Sequence, residues 1–545
     1  MRRFADLLER LAFTPARNGK LRLIVDYLRE APDPDRGWGI AAITRDLKLD
    51  AVKPALLRSL ATERVDAELF ALSYDFVGDL AETVALIWPP APGLPTPMPA
   101  SDPSLGEVID TLHAASRREA PQVVERLLDR LGGSERYALL KLVTGGLRVG
   151  VSARLAKQAL ADFGGVDVTE IEELWHGLAP PYQPLFAWLD GDGEKPVSAA
   201  AAPFRPVMLA HALGERDLDR MAPGDFVAEW KWDGIRVQAV SEAGGRRLYS
   251  RTGDDISGAF PDLVAALDFD AAIDGELLVR RPNGSIATFS DLQQRLNRKT
   301  VSAAQLRRYP AHLRAYDLLQ ADGRDLRPEP FETRRAALEA LSARLDPGRF
   351  DLSPLLPVES WEDLARLRAA PPDPVIEGVM LKRRDSPYVP GRPKGLWFKW
   401  KRDPHVIDAV LMYAQRGHGK RSGYYSDYTF GLWTSDGSLA PVGKAYFGFT
   451  DEELEQIDRW VRANTTERFG PVRAVRAEPD HGLVLEVAFE GLARSTRHRS
   501  GVAMRFPRIS RLRWDKPPGE ADTLETLEAL LPEPPQGLGS SRSPA

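Results

Sequence analysis

Residues 225–240 read DFVAEWKWDGIRVQAV, a β-rich run broken by an Asp-Gly step. The run predicts a strand ending near Lys231, a turn at Asp233-Gly234 and a second strand. Within it, Glu229-Trp230-Lys231-Trp232-Asp233-Gly234-Ile235-Arg236 puts a lysine two residues before an acid at a strand end. At ordinary residue usage a Lys-x-Asp-Gly match arises by chance in roughly one such chain in ten. A solvated lysine before a turn reads the same way, so the surroundings decide.

Upstream the texture is helical. In GKLRLIVDYLREA, Leu21, Ile24, Val25 and Leu28 fall at i, i+3, i+4, i+7 spacing. The pattern runs to about residue 88 and stops at WPPAPGLPTPMPASDP, whose seven prolines from Pro89 to Pro103 exclude regular structure. It resumes from Leu105 to about Phe186. After the small-residue segment PVSAAAAPF, strand-like runs such as AAIDGELLV and VIEGVMLKR alternate with helical TRRAALEALSARL. Beyond Pro404, VIDAVLMYAQ, YTFGLWT, LVLEVAFEGL and ISRLRW, separated by Gly-rich turns, predict a small antiparallel barrel. The predicted class is multidomain α + β: an all-α domain over 1–200, an α+β domain over 203–402, a β-barrel over 403–520 and a flexible tail over 521–545.

A chain of 545 residues has room for three or four cores. With 43% hydrophobic and 28% charged residues it has the composition of a globular protein. A net charge of -5 does not by itself point to a polyanion partner, but charge is segregated. Lys382–Arg421 holds eleven Lys or Arg against three Asp, and Arg494–Lys516 eight against one. The absence of cysteine excludes disulfides and cysteine-ligated zinc. The N-terminal MRRFADLLERLAF is interrupted by charge, and no apolar stretch reaches the 18 or so residues of a membrane span. The sequence therefore predicts a cytoplasmic protein without a membrane partner.

From Lys231 onward, the carboxylates and cations of a phosphoryl-transfer site follow within 170 residues. Ser250-Arg251 follows a predicted strand, Asp274-Gly275-Glu276 ends an apolar run, and Tyr316-Asp317-Leu318 lies in another short strand. Glu377-Gly378-Val379-Met380-Leu381-Lys382 and Trp397-Phe398-Lys399-Trp400-Lys401 complete the series. In this order the motifs resemble the covalent nucleotidyltransferase superfamily of DNA ligases, RNA ligases and mRNA capping enzymes, and most closely the ATP-dependent DNA ligases. The central domain would then be an α+β nucleotidyltransferase (ATP-grasp-like adenylation) domain and the barrel an OB-fold.

The chemistry fits these residue types. A lysine that attacks the α-phosphorus of ATP must be neutral, yet an amine of pKa about 10.4 is less than 0.1% neutral at pH 7. Partial burial beside Lys399, Lys401 and a divalent cation would lower its proton affinity. The same cations would stabilise the phosphoryl oxygens in the transition state. Carboxylates such as Glu276 and Glu377 suit Mg²⁺.

The resemblance implies that Lys231 carries AMP, Glu229 helps recognise adenine, and Arg236 and Arg251 hold phosphate or ribose. Glu276 would contact ribose or a metal-bound water, Tyr316 would stack on adenine, and Glu377 would serve the metal. Lys399 and Lys401 would grip the α-phosphate. The arginine that family members carry shortly before these lysines is matched by Arg392, with Lys394 nearby. Trp232 and Tyr316 stand where the family more often has Tyr and Phe, and both keep an aromatic face.

The basic run Arg505-Phe506-Pro507-Arg508-Ile509-Ser510-Arg511-Leu512-Arg513-Trp514-Asp515-Lys516 resembles the motif that completes adenylation. Its Arg508, Arg511 and Lys516 would bind the nucleotide. In a strand, Arg511 and Arg513 would share the face presented to departing pyrophosphate. QRGHGKRSGYYSD, residues 415–427, has the composition of a DNA-facing loop.

Capping enzymes and many RNA ligases lack a helical domain ahead of the catalytic core. Here Lys141-Leu142-Val143-Thr144-Gly145-Gly146-Leu147-Arg148-Val149-Gly150-Val151-Ser152 resembles the segment by which eukaryotic and archaeal ligases grip the duplex. Gly145, Gly146 and Gly150 would let amides approach phosphates, and Lys141 and Arg148 would add charge; a Gly-capped helix end followed by a turn would look similar. The resemblance implies an ATP-dependent, Mg²⁺-requiring monomer acting on nicked double-stranded DNA of any sequence, with a leaning towards repair. The absence of cysteine argues against the zinc-bearing NAD-dependent ligases. An RNA ligase or capping enzyme, and a non-catalytic DNA clamp, are the alternatives.

Overall fold

The computed structural model describes residues 1–49, 54–89, 103–145, 147–198, 200–214, 216–296, 298, 300–417 and 423–531. Most of the Pro-rich stretch, Gly146, residues 418–422 of the 415–427 loop and the end of the tail lie outside them. The chain forms two compact units. The first takes Met1–His211, Gly234–Pro354 and Lys382–Trp397, and the second Ala212–Asp233, Leu355–Leu381 and Phe398–Ala545.

In the first unit, the described elements up to Asp190 are all helical, from Arg2–Phe13 to Gln183–Asp190. The stripe read in GKLRLIVDYLREA forms the helix Arg17–Glu30, with Ile24 and Leu28 fully buried. Capping boxes at Ser104/Glu107 and Asp167/Glu170 satisfy the starts of two further helices. Phe4, Leu11, Ile40, Val84, Val108, Leu139 and Leu160 join them in one core.

The rest of this unit is built on a six-stranded sheet. Its order is Gly245–Ser250, Ile235–Glu242, Ala271–Val279, Ala311–Ala321 and Arg324–Asp325, with Phe350–Leu352 parallel on Ala311–Ala321. Both faces are covered. Val237, Ala239, Ile273, Leu277 and Leu313 pack with Phe260 and Leu338 on one side. Val240, Ala272 and Leu319 pack with Phe204, Met208, Tyr388 and Trp397 on the other. Two-sided burial is why AAIDGELLV reads as a nearly continuous apolar run, with polar residues left to the site.

Most residues of a five-stranded sheet belong to the second unit; its order is His211–Ala212, Trp397–Lys401, Ile376–Arg383, Phe226–Trp232 and Leu355–Leu356. Its core is Phe226, Ala228, Trp230, Leu364, Ile376, Val379, Leu381 and Phe398. The seven-stranded antiparallel sheet beyond Pro404 is organised by the long strand His405–Arg416. One edge of that strand pairs with Tyr425–Trp433. The other pairs first with Val484–Phe489 and then with Val472–Val475. A register shift between Leu411 and Tyr413 bends it, as barrel-forming sheets require. The run LVLEVAFEGL divides between two sheets: Val484–Phe489 joins this one, while Gly491–Arg494 forms a separate hairpin with Val502–Arg505.

The helix Asp451–Ala463 was not expected from the sequence. It is started by a Thr450/Glu453 capping box and buries Leu454, Ile457 and Val461 against the same core. The short helix Leu524–Glu528 buries Leu527. Among the described residues no helix is long and apolar enough to cross a membrane.

Candidate active site

In the second unit, strand alternation places Phe226, Ala228, Trp230 and Trp232 against the apolar core, so Glu229 and Lys231 share the opposite face. Glu229 is buried. The Lys231 ammonium donates to Glu377 on the neighbouring strand Ile376–Arg383. Asp233 follows the strand end, where its N–H donates to Val375 O at 2.9 Å. Arg505 donates to the Asp233 carboxylate, and its other terminal nitrogen lies 3.7 Å from Glu377.

Gly378 lets the strand Ile376–Arg383 approach its other neighbour, Trp397–Lys401. Its φ is +148°, and an added Cβ would collide with the Trp400 carbonyl. Gly378→Ala is expected to displace Glu377 from Lys231 and lower the urea midpoint, an effect equilibrium unfolding would measure.

Burial pushes the Asp233 carboxyl up, as does the charge of Glu377, and Arg505 only partly offsets them. Burial acts on Glu377 in the same direction, but Lys231, Lys401 and Arg505 together hold it below the usual carboxylate range. Lys399 and Lys401 lie two residues apart on Trp397–Lys401 and so face the same way. The Lys401 ammonium pairs with Glu490 at 2.6 Å, and Arg508 lies 3.6 Å from the same carboxylate. The cations gathered about Glu377, namely Lys231, Lys401 and Arg505, suit phosphate chemistry. No group of three or more His, Asp or Glu forms a metal cage among the described residues.

At the barrel's last strand, Arg511 and Arg513 pair across from Glu486 and Val484 and so share a face, as expected. Arg511 is exposed, whereas Arg513 and Lys516 both bind Asp408, at 2.9 and 2.8 Å.

In the first unit, Arg236 lies opposite Glu276 in register. Its guanidinium donates to Asp274 at 3.0 and 2.6 Å, to Met208 O at 2.6 Å and to Tyr388 Oη at 3.0 Å. Most of its five N–H groups are thus engaged by protein, which makes it a rigid charge more than a mobile phosphate clamp. Burial disfavours that charge, but Asp274, which is fully buried, more than offsets it. Tyr316, 5.9 Å from Arg236, has burial pushing its phenol well up.

Arg251 is the open cation of this set. Partial burial lowers it, and the like charges of Arg236 and Arg392 lower it further. Mutually repelling guanidiniums beside Tyr316 and Glu276 favour an anionic ligand. The charge of Arg392, one of the two basic residues near the last lysines, reaches Arg251.

In the helical region, Gly145 is the left-handed cap of helix Gly133–Thr144, with φ +65°. Lys141 is buried, its ammonium 2.5 Å from Asp79 and 5.2 Å from the Tyr137 ring centre. Arg148 and Gly150 are exposed. Sequence reasoning missed Arg505, Asp274 and Tyr388 as site residues. The first two lay inside quoted motifs; the part played by Tyr388 depends on contacts across 152 and 114 residues of chain.

Two family models match the chain: the ATP dependent DNA ligase domain over residues 207–401 and the ATP dependent DNA ligase C terminal region over 421–516. A probable DNA ligase of Koribacter versatilis is 36% identical over 436 residues, covering 75% of this chain and 74% of that protein. One from Streptomyces avermitilis is 32% identical over 552 residues, covering 97% and 99%. The solved structure Pmar-Lig_PreS3 aligns with 94% of this chain and 99% of its own, with a TM-score of 0.56 and 16% identity, a likeness of fold. With bacterial relatives matched almost end to end and both ligase models present in order, the chain belongs to the bacterial ATP-dependent DNA ligases.

Proposed function

We propose that Lys231 is the residue this DNA ligase adenylates, and that nick sealing proceeds through its phosphoramide. The observation that carries the assignment is the Lys231–Glu377 pair, set at a strand end beside Asp233, Arg505 and Lys401. Lys231 Nζ attacks the α-phosphorus of ATP, forming an N–P bond as the bond to pyrophosphate breaks. The AMP passes to the 5′-phosphate of the nick, and the 3′-hydroxyl then displaces it, leaving a phosphodiester and free AMP.

An ammonium has no free electron pair, so Lys231 must lose both its proton and its partner before attack. Glu377 is the carboxylate beside Lys231 that would hold Mg²⁺, which would supply Lewis-acid neutralisation of the phosphate charge, and Glu276 is the carboxylate of the first unit given a metal role by the resemblance. Release of the Lys231 ammonium from Glu377 would leave it free to give up its proton. In the second unit, Lys399 and Lys401 would neutralise the α-phosphate and Glu229 would help recognise adenine; in the first, Tyr316 would stack on adenine, and Arg251, Arg392 and Glu276 would bind ribose and phosphate. Arg236 orders that set through Asp274.

Arg508, Arg511 and Lys516 assist pyrophosphate departure. Lys516→Ala should slow AMP transfer to the enzyme about a hundredfold while leaving sealing of pre-adenylated nicks nearly unchanged, measured with labelled ATP and with a synthetic adenylated nick.

The domains are read as helical DNA-binding 1–200, nucleotidyltransferase 203–402 and OB-fold 403–520. Gly145, Arg148 and Gly150 meet the DNA, with Gly146, and Lys141 braces the helix end from which that loop leaves. Binding is sequence-independent because nicks occur in any sequence and the contacts go to phosphate and sugar. The protein acts as a monomer. Family membership leaves the RNA-ligase, capping and non-catalytic alternatives without support. Incubation with α-labelled ATP and Mg²⁺ tests the reading: the protein should become labelled, and nicked duplex should discharge it. Failure to label would overturn it.

A further inference from the structure

The loop joining helices Gly133–Thr144 and Ala153–Gly164 is held from an unexpected place. Lys20, in the first turn of helix Arg17–Glu30, is 9% exposed and reaches across 129 residues of chain. Its ammonium donates to Val149 O at 2.5 Å and to Gly150 O at 3.1 Å. Among the described residues it makes no ion pair, and burial disfavours its charge. A lysine so placed needs a reason beyond packing, because a buried ammonium is costly without a counter-charge.

Gly150 has φ +65°, and an added Cβ would strike Lys20 Nζ, so glycine is what lets the ammonium approach. In a trans peptide the N–H points opposite to the C=O. Drawing the Val149 and Gly150 carbonyls onto Lys20 therefore turns the N–H groups of Gly150 and Val151 away from it. Neither N–H donates to a protein group among the described residues. Arg148, adjacent in the loop, is exposed.

We propose that Lys20 is a positioning residue for DNA binding: by gathering these two carbonyls it presents the Gly150 and Val151 amides, together with Arg148, to a DNA phosphate. The proposal rests on the reading that this loop meets the duplex. Consecutive amides facing one side form an anion-binding concavity, and a buried cation behind them adds to its field. Lys20 does not touch the DNA itself; it acts through the loop.

The test compares Lys20→Met, Lys20→Arg, Gly150→Ala, Arg148→Ala and the Lys20→Met/Arg148→Ala double variant in the full chain. Self-adenylation without DNA, KM for a nicked duplex and kcat at saturating duplex are measured. Lys20→Met should raise KM for the nick about tenfold, with self-adenylation and kcat unchanged. Lys20→Arg should restore most of the affinity. Gly150→Ala, which blocks the same contact from the other side, should reproduce the loss. The double variant should bind no more weakly than the worse single one within about twofold, since both act through one loop. If Arg148→Ala weakens binding while Lys20→Met and Gly150→Ala do not, Lys20 has no such role and the loop reading survives. If none of the variants weakens binding, the loop reading falls and the proposal with it. A parallel loss of self-adenylation in Lys20→Met that Lys20→Arg does not rescue would reduce Lys20 to a folding residue and overturn the proposal.

Discussion

Lys231→Ala is expected to abolish covalent AMP transfer, lowering labelling from α-labelled ATP by at least about a thousandfold. Lys231 is partly accessible at a strand end, faces away from the Trp230 side of the sheet, and is paired with a carboxylate that three cations hold ionised. Alanine removes the amine proposed to form the N–P bond. Because the apolar face of Phe226–Trp232 is untouched, the variant should unfold like the parent. The same variant should still seal a nick supplied already adenylated, since that step needs the 3′-hydroxyl and not Lys231. Loss of both activities together would point to a damaged fold instead of a missing nucleophile.

The second large effect is on stability. Asp317→Ala should destabilise the first unit by about 3–5 kcal/mol, read as a lower urea midpoint of the transition that unfolds it. Asp317 and Arg334 are both fully buried, joined by hydrogen bonds of 2.8 and 3.0 Å. Arg334 also donates to Ser386 O at 2.9 Å, tying helix Phe331–Ser342 to the segment after Arg383. Alanine would strand a guanidinium in a dry interior, which costs far more than the net worth of the pair. Asp317 also follows Tyr316, whose backbone carbonyl accepts from Lys382 at 3.2 Å. AMP labelling should therefore weaken as well. Replacing both partners with apolar residues of similar volume should recover most of the stability, because no charge is then left alone.

What the sequence made legible follows the range of the forces involved. The period of the apolar residues predicted helix Arg17–Glu30 and the strands Phe226–Trp232 and His405–Arg416 within a few residues, since burial of one face is a local signature. Motif order singled out Lys231 and Glu377, whose side chains form an ion pair in the structure. The helix Asp451–Ala463 escaped although Thr450 and Glu453 spell a capping box, because the β-rich runs around it dominated the reading. The split of LVLEVAFEGL between two sheets was also invisible, since Glu490 N donates to Arg505 O, a partner that only the fold supplies. The same limit applies to Arg236, read as a ligand-binding group and found locked to Asp274, Met208 and Tyr388. Lys141 was read as a DNA contact and is turned inward onto Asp79. Local pattern fixes which face a side chain takes; it does not say which distant carboxylate waits there.

The most direct measurement is to adenylate the full chain with ATP and Mg²⁺, digest it under conditions that preserve phosphoramides, and locate the AMP by mass spectrometry. A single modified peptide is expected, with AMP on Lys231 and the AMP lost after incubation with nicked duplex DNA. AMP on any other residue, or a modified Lys231 that nicked DNA does not discharge, would contradict that expectation.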